Sequence, residues 1–171
     1  MSVDGRHAEV FFFAGIDELP NFWRGLFARE DVDEAGFFEF AAEAFERLVL
    51  APSLAFRRFD GNYRDTRDKV VQVLAAINDH FPVAIEQSKG LPYDVQASLG
   101  RFGVDISPES PGTRQSKTRM ADRVVRLDGE EYVCEWHAKL DRNRNRIHFA
   151  LPDTRIGGRM VVGIFVDHLA T

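Results

Sequence analysis

The stretch Tyr132-Val-Cys-Glu-Trp-His-Ala-Lys-Leu140, the polar turn Asp141-Arg-Asn-Arg-Asn145 and the run Arg146-Ile-His-Phe-Ala-Leu151 decide the fold. Successive side chains of a strand point to opposite faces, so position parity sorts each run into two sides. In the first run Cys134, Trp136, Ala138 and Leu140 share one side, and Glu135, His137 and Lys139 share the other. In the second, Ile147, Phe149 and Leu151 lie opposite Arg146 and His148. The turn predicts antiparallel pairing of the two strands, which makes their polar sides coincide. Glu135, His137, Lys139, Arg146 and His148 are then expected on one surface, with Arg142 and Arg144 near its edge.

Working outward, Arg159-Met-Val-Val-Gly-Ile-Phe-Val166 is a nearly continuous apolar strand, expected to be central, and it ends at Asp167-His168. Upstream, Arg123 to Leu127 leads into Asp128-Gly129, a hairpin signal. Before that, Ser107-Pro-Glu-Ser-Pro-Gly-Thr113 is turn chemistry, and Arg114 to Arg126 is a basic stretch holding Arg114, Lys117, Arg119, Arg123 and Arg126 against Asp122 alone.

The first hundred residues read differently. Ala8-Glu-Val-Phe-Phe-Phe-Ala14 suggests a short buried strand ended by Gly15. Pro20 with early acidic groups suits the start of a helix that buries Phe22, Trp23, Leu26 and Phe27. From Asp31 to Leu50, apolar residues from Phe37 to Val49 recur at three and four, which predicts one helix over the whole stretch. Arg64 to His80 predicts a second amphipathic helix and Tyr93 to Arg101 a shorter one. The expectation is a single α+β domain over residues 1–171. Its acidic, mainly helical part (1–103) packs on a basic, antiparallel β-meander (104–171).

Composition narrows the classes. With 171 residues, 44% hydrophobic and 29% charged, the chain can close one core without staples. Its longest apolar runs, near Val10 and Met160, fall far short of the roughly 20 residues a membrane span needs. The start carries no basic-then-apolar leader, and one cysteine cannot form an internal disulfide, so a cytoplasmic protein with no membrane partner is expected. The net charge of −5 divides into −7 for residues 1–100 and +2 for residues 101–171, where three of the five histidines also lie. Any anion-binding surface is therefore expected late in the chain.

The polar side of the two paired strands combines groups that transfer protons near neutral pH with groups that hold phosphate. A solvated sheet face with cross-strand ion pairs such as Glu135 with Arg146 is the plainer reading of the same residues. A metal site drawn from His137, His148, Glu135, Asp167 and His168 is a third, opposed by Lys139 and Arg146 on the same side. Cys134 is expected to face the core, and His7 and His80 stand apart from the group. There is no G-x-S-x-G, phosphate-binding loop or G-x-G-x-x-G, and no cofactor is implied.

Trp136-His-Ala-Lys139, the polar turn, Asn145-Arg-Ile-His-Phe-Ala-Leu-Pro-Asp153 and Met160-Val-Val-Gly-Ile-Phe-Val-Asp-His168 together resemble the last strands of the RelE/YoeB/HigB group of bacterial toxin ribonucleases. The resemblance covers about 40 of the 171 residues. It implies a basic antiparallel sheet and a metal-independent endoribonuclease of toxin or phage-defence type. Such an enzyme acts on messenger RNA, commonly at the ribosome, and is countered by a protein antitoxin. On this resemblance Arg146 falls at a phosphate-holding arginine, His168 at an acid/base histidine, and Glu109, in the Pro108-Glu109 turn, near a glutamate base. Leu169 stands where the group has an aromatic residue, which leaves protonation of the leaving group to His137 or His148. The candidate catalytic set is therefore Glu109, Glu135, His137, Arg146, His148 and His168, with Lys139, Arg142, Arg144, Arg114, Lys117 and Arg119 as RNA-phosphate contacts. The competing expectation is a non-catalytic module that binds nucleic acid or protein, such as a subunit of a larger bacterial assembly.

Overall fold

A computed structural model describes residues 15–29, 31–142 and 144–169, together with two short paired strands, β1 (Ser2–Val3) and β2 (Arg6–His7). The strand expected over residues 8–14 lies outside the described residues.

The class is α+β, and its centre is a five-stranded mixed sheet. The strands are β3 (Leu48–Leu50), β4 (Asp105–Pro108), β7 (Trp136–Lys139), β8 (Arg146–Phe149) and β9 (Met160–Val166), in the order β3-β9-β8-β7-β4. The pairs β4–β7, β7–β8 and β8–β9 are antiparallel, but β3 runs parallel to β9, with Leu48 beside Met160 and Leu50 beside Val162. This corrects the expectation of a purely antiparallel sheet fed only by the second half of the chain. The apolar β9 is an inner strand, as its composition suggests.

Helices cover one face. In α1 (Leu19–Arg29) Phe27 is buried; in α2 (Glu34–Ala44) Phe37, Ala41 and Ala44 turn inward at helical spacing. The Asp33 carboxylate caps α2 by accepting from Gly36 N at 2.8 Å. The helix does not reach Leu50. It stops at Ala44, and Leu48-Val-Leu50 is taken into the sheet, where Arg47 O accepts from Met160 N and Ala51 N donates to Val162 O, both at 2.9 Å. Helix α3 (Tyr63–Gln87), capped by Asn62, runs seven residues past its expected end and passes through Pro82. Helix α4 (Pro92–Gly100) follows. Between these helices and the sheet sits an aromatic core containing Phe27, Phe37, Phe45, Phe56, Phe81, Trp136, Phe149 and Phe165. Phe81 meets Phe149 edge-on at 4.8 Å and Trp136 at 5.1 Å.

The other face of the sheet is covered by a hairpin. Strands β5 (Val124–Leu127) and β6 (Glu130–Val133) pair through Asp128 and Gly129, whose φ values of 52° and 85° suit the tight turn. Two short helices, α5 (Pro111–Gln115) and α6 (Lys117–Ala121), lead into it, so the basic stretch is helical before it becomes strand. The run from Tyr132 to Leu140 is not one strand: it breaks at Cys134 and Glu135, between β6 and β7. The break moves Cys134 away from Trp136 and Ala138. It is buried, but in a second cluster with Tyr132, Ala150 and Val161 under the hairpin. Gly163 of β9 permits this closeness, because a Cβ there would stand 2.5 Å from both Cys134 Sγ and Val125 Cγ2.

Candidate functional site

The pairing of β7 with β8 places His137 directly opposite His148 and Lys139 opposite Arg146. Ala138 and Ile147, on the other side of these strands, enter the aromatic core, so the histidines face the hairpin side. Strand β4 adds Ser107 beside His137, whose Nε2 lies 3.4 Å from Ser107 Oγ. Just beyond β4, Glu109 N donates to Glu135 O at 2.8 Å, which fixes the backbone there. The Glu109 carboxylate is only 3% exposed and meets Arg123, which is 1% exposed and enters from the chain between α6 and β5. Arg123 Nε donates to Glu109 Oε1 at 2.7 Å, and its Nη1 donates to Arg119 O at 2.7 Å.

Two imidazoles look onto the same carboxylate oxygen. His148 Nδ1 is 3.4 Å from Glu109 Oε1 and His137 Nδ1 is 3.8 Å from it. The rings are tilted by 36° with centroids 5.3 Å apart. Glu109, Arg123, His137, Arg146, His148 and Leu169 enclose a cavity of about 50 Å³. Around it His137 Nδ1, Arg146 Nη1 and both ring nitrogens of His148 are buried without a hydrogen-bond partner among the described residues. Buried polar atoms are nearly always paired, so this concentration at one point marks the site.

Burial dominates the electrostatics. It pushes the His137 imidazolium down to about 4, against the pull of Glu109, and His148 down to about 3, with His137, Arg123 and Arg146 adding to the effect. Both rings are neutral at pH 7 and offer lone pairs. Among the described residues lining the pocket, one carboxylate faces two guanidinium groups. No family model, curated protein or solved structure matches this chain. The chemistry is therefore read from the residues alone.

Of the candidate catalytic residues, Glu109, His137, Arg146 and His148 line this one cavity. Glu135 contributes its backbone carbonyl and sits in the break between strands. His168 lies after the end of β9, is exposed and is not among the lining residues. The anticipated metal set changes likewise: among the described residues Glu109, His137 and His148 can offer one ligand atom each within 4.8 Å of one another, without Glu135, Asp167 or His168. Of the phosphate contacts, Lys139 pairs with Asp105 at 2.8 Å and Arg144 with Asp60 at 2.5 Å. Arg114, Lys117, Arg119 and Arg142 are exposed with no ion-pair partner among the described residues.

Sequence reasoning puts Arg123 in the basic stretch and at the start of the hairpin, with no place in the site, and gives Ser107 no role. Arg123 carries no local mark, because its partner is fourteen residues away and the pair is defined by the hairpin closing over the sheet. A wider groove of about 410 Å³ runs between β5 and β9, lined in part by Arg58, Arg126 and Ile164, and shares Leu169 with the small cavity.

Proposed function

We propose that the protein is an endoribonuclease that cleaves RNA by acid/base chemistry of its own side chains, in the manner of the toxin ribonucleases its last strands resemble. The observation that carries this reading is the Arg146 guanidinium, whose buried Nη1 has no hydrogen-bond partner among the described residues and lies beside two neutral imidazoles and a fixed carboxylate. A guanidinium so placed suits a phosphodiester, whose charge it can meet bidentately.

In this mechanism the substrate strand lies in the groove between β5 and β9, and its scissile phosphate reaches Arg146 past Leu169. His137, poised between Ser107 and Glu109, accepts the proton of the ribose 2'-hydroxyl. The 2'-oxygen attacks phosphorus while the bond to the 5'-oxygen breaks, and Arg146 stabilises the added negative charge on the equatorial oxygens. A bound phosphodiester raises the proton affinity of the nearby imidazoles, which equips His148 to protonate the departing 5'-oxygen. Arg123 acts through Glu109, as a positioning residue. The exposed Arg114, Lys117, Arg119 and Arg142 supply salt-dependent contacts to flanking phosphates. Messenger RNA at the ribosome, and a protein antitoxin, are the partners this reading implies.

The test adds purified protein, and in parallel its Arg146→Ala variant, to a cell-free translation extract and to RNA alone, and maps the RNA ends. Translation arrest with discrete 2',3'-cyclic phosphate ends, lost in the variant, supports the reading; intact RNA with full translation overturns it. One observation favours a second reading, a non-catalytic binding module: Glu109, Arg123 and His148 are each at most 3% exposed. That module retains RNA on a filter without shortening it.

A further inference from the structure

Glu109 Oε1, His137 Nδ1 and His148 Nδ1 converge without touching. The separations of 3.4 and 3.8 Å from the carboxylate oxygen are too long for good hydrogen bonds, and both Nδ1 atoms are buried with no hydrogen-bond partner among the described residues. Three polar atoms facing one another across such gaps suit a species that bridges them. A zinc ion bonded to each at roughly 2.0–2.1 Å in tetrahedral geometry holds its ligands about 3.3–3.4 Å apart. The Glu109–His148 separation already has that value; His137 stands 3.8 Å from the same oxygen, and the three ligand atoms lie within 4.8 Å of one another, so binding draws His137 inward.

We propose that Glu109, His137 and His148 form a zinc site with three protein ligands and a fourth position open to the cavity. The charge balance decides what occupies that position. Arg123 already shares its charge with Glu109, but Arg146 would repel a bare divalent ion. An anion on the metal, such as hydroxide or chloride, relieves that repulsion by accepting from Arg146 Nη1. The cavity of about 50 Å³ has room for it beyond the volume of one water. Arg123, donating to the ligating carboxylate, is the outer partner that fixes the carboxylate's orientation.

The consequence for activity rests on the ribonuclease reading; the binding itself does not. Zinc engages the base His137 and the acid His148 at once, so it acts as an inhibitor of cleavage.

The experiment takes the whole protein, freed of metal with a chelator, and titrates it with zinc chloride by calorimetry and against a chromophoric zinc indicator. One equivalent is expected to bind, with affinity at least about tenfold weaker in both His148→Leu and Glu109→Gln and unchanged in His80→Ala. His148→Leu keeps an apolar side chain in the buried slot, and circular dichroism confirms that each variant is folded before titration. X-ray absorption of the loaded protein is expected to show nitrogen and oxygen ligands without sulfur. No saturable binding, or binding that His148→Leu leaves unchanged, overturns the site. Zinc binding by a protein that cleaves no RNA even when metal-free preserves the site and removes the ribonuclease reading. Cleavage that continues at full rate with zinc bound overturns the inhibitory role.

Discussion

The two faces of the central sheet are both buried, but by different means. Toward the helices, Trp136, Ala138, Ile147, Phe149 and Phe165 meet a layer of aromatic side chains, and each apolar contact is supplied by a neighbour of the same kind. Toward the hairpin, residues one position away on the same strands, His137 and His148, meet a carboxylate, two guanidinium groups and a void. One face removes apolar surface from water at no polar cost; the other holds four polar atoms that water could have satisfied. The second arrangement lowers stability, and a chain that folds in spite of it has stability to spare on the first.

The sharpest way to break this comparison uses adjacent residues. Phe149→Ala, on the aromatic face, is expected to cost about 3–5 kcal/mol by removing a fully buried ring that packs on Phe81. His148→Leu, on the opposite face, is expected to leave stability unchanged or to raise it, because it removes a buried side chain whose two nitrogens make no well-formed hydrogen bond among the described residues. Urea denaturation of both variants measures the contrast, and a large loss for His148→Leu contradicts the account of that face.

Acid should separate the faces as well. The folded protein holds His137 down to about 4 and His148 down to about 3, below the ordinary value of 6.5. Between 6.5 and those values the unfolded chain binds more protons than the folded one. Stability from these two groups is therefore complete above pH 6.5 and declines as pH falls, by up to about 1.4 kcal/mol per pH unit for each imidazole. Denaturant midpoints of the metal-free protein across pH 7 to 5 show the slope, and His148→Leu is expected to reduce it.

How much of this was legible in the residues differs between the faces too. Strict alternation in Trp136 to Lys139 and Arg146 to Phe149, with a polar turn between, is enough to put His137, Lys139, Arg146 and His148 on one side, but not to set the register: the cross-strand partner of Arg146 is Lys139, not Glu135, which falls in the break before β7. What alternation cannot say is what lies above a polar face. The hairpin and Glu109–Arg123 close over it through tertiary packing, so a surface expected to be open is in fact covered. Leu48-Val-Leu50 was read as helix because three residues cannot outweigh the period of Phe37 to Phe45; the vacant edge of β9 decides their state. The turn chemistry of Ser107 to Thr113 likewise hides a strand end: Ser107 and Pro108 belong to β4, because proline is tolerated in an edge strand that the rest of the sheet recruits.

Gly163 tests whether the polar face depends on close packing of the hairpin. Gly163→Ala puts a methyl group 2.5 Å from Cys134 Sγ and Val125 Cγ2, and neither neighbour is a flexible chain end. The expected cost is about 1–3 kcal/mol as the hairpin is displaced. The cavity it roofs should open with it, so Cys134, buried and with its thiol pushed up to about 12, should become reactive to a thiol reagent. The rate of labelling at constant pH measures this, and an unreactive Cys134 in a destabilised variant places the displacement elsewhere.

The smallest effect concerns charge at the outer surface of the same hairpin. Arg126 pairs with Glu131 across β5 and β6 at 2.7 Å, a distance as short as that of Arg123 to Glu109, yet its side chain is 79% exposed. Distance alone would rank the two pairs as equals. Solvent screening and the entropy of holding two mobile side chains reduce an exposed pair to about 0.2–1 kcal/mol. Arg126→Ala should therefore shift stability by no more than about 0.5 kcal/mol, less in high salt, when measured by thermal denaturation at two ionic strengths. Arg123→Ala leaves Glu109 charged and buried without its partner, and the loss there is expected near 3–5 kcal/mol whatever the salt. Equal effects from the two substitutions would mean that Arg123 and Glu109 reach water and that the cluster is an open surface.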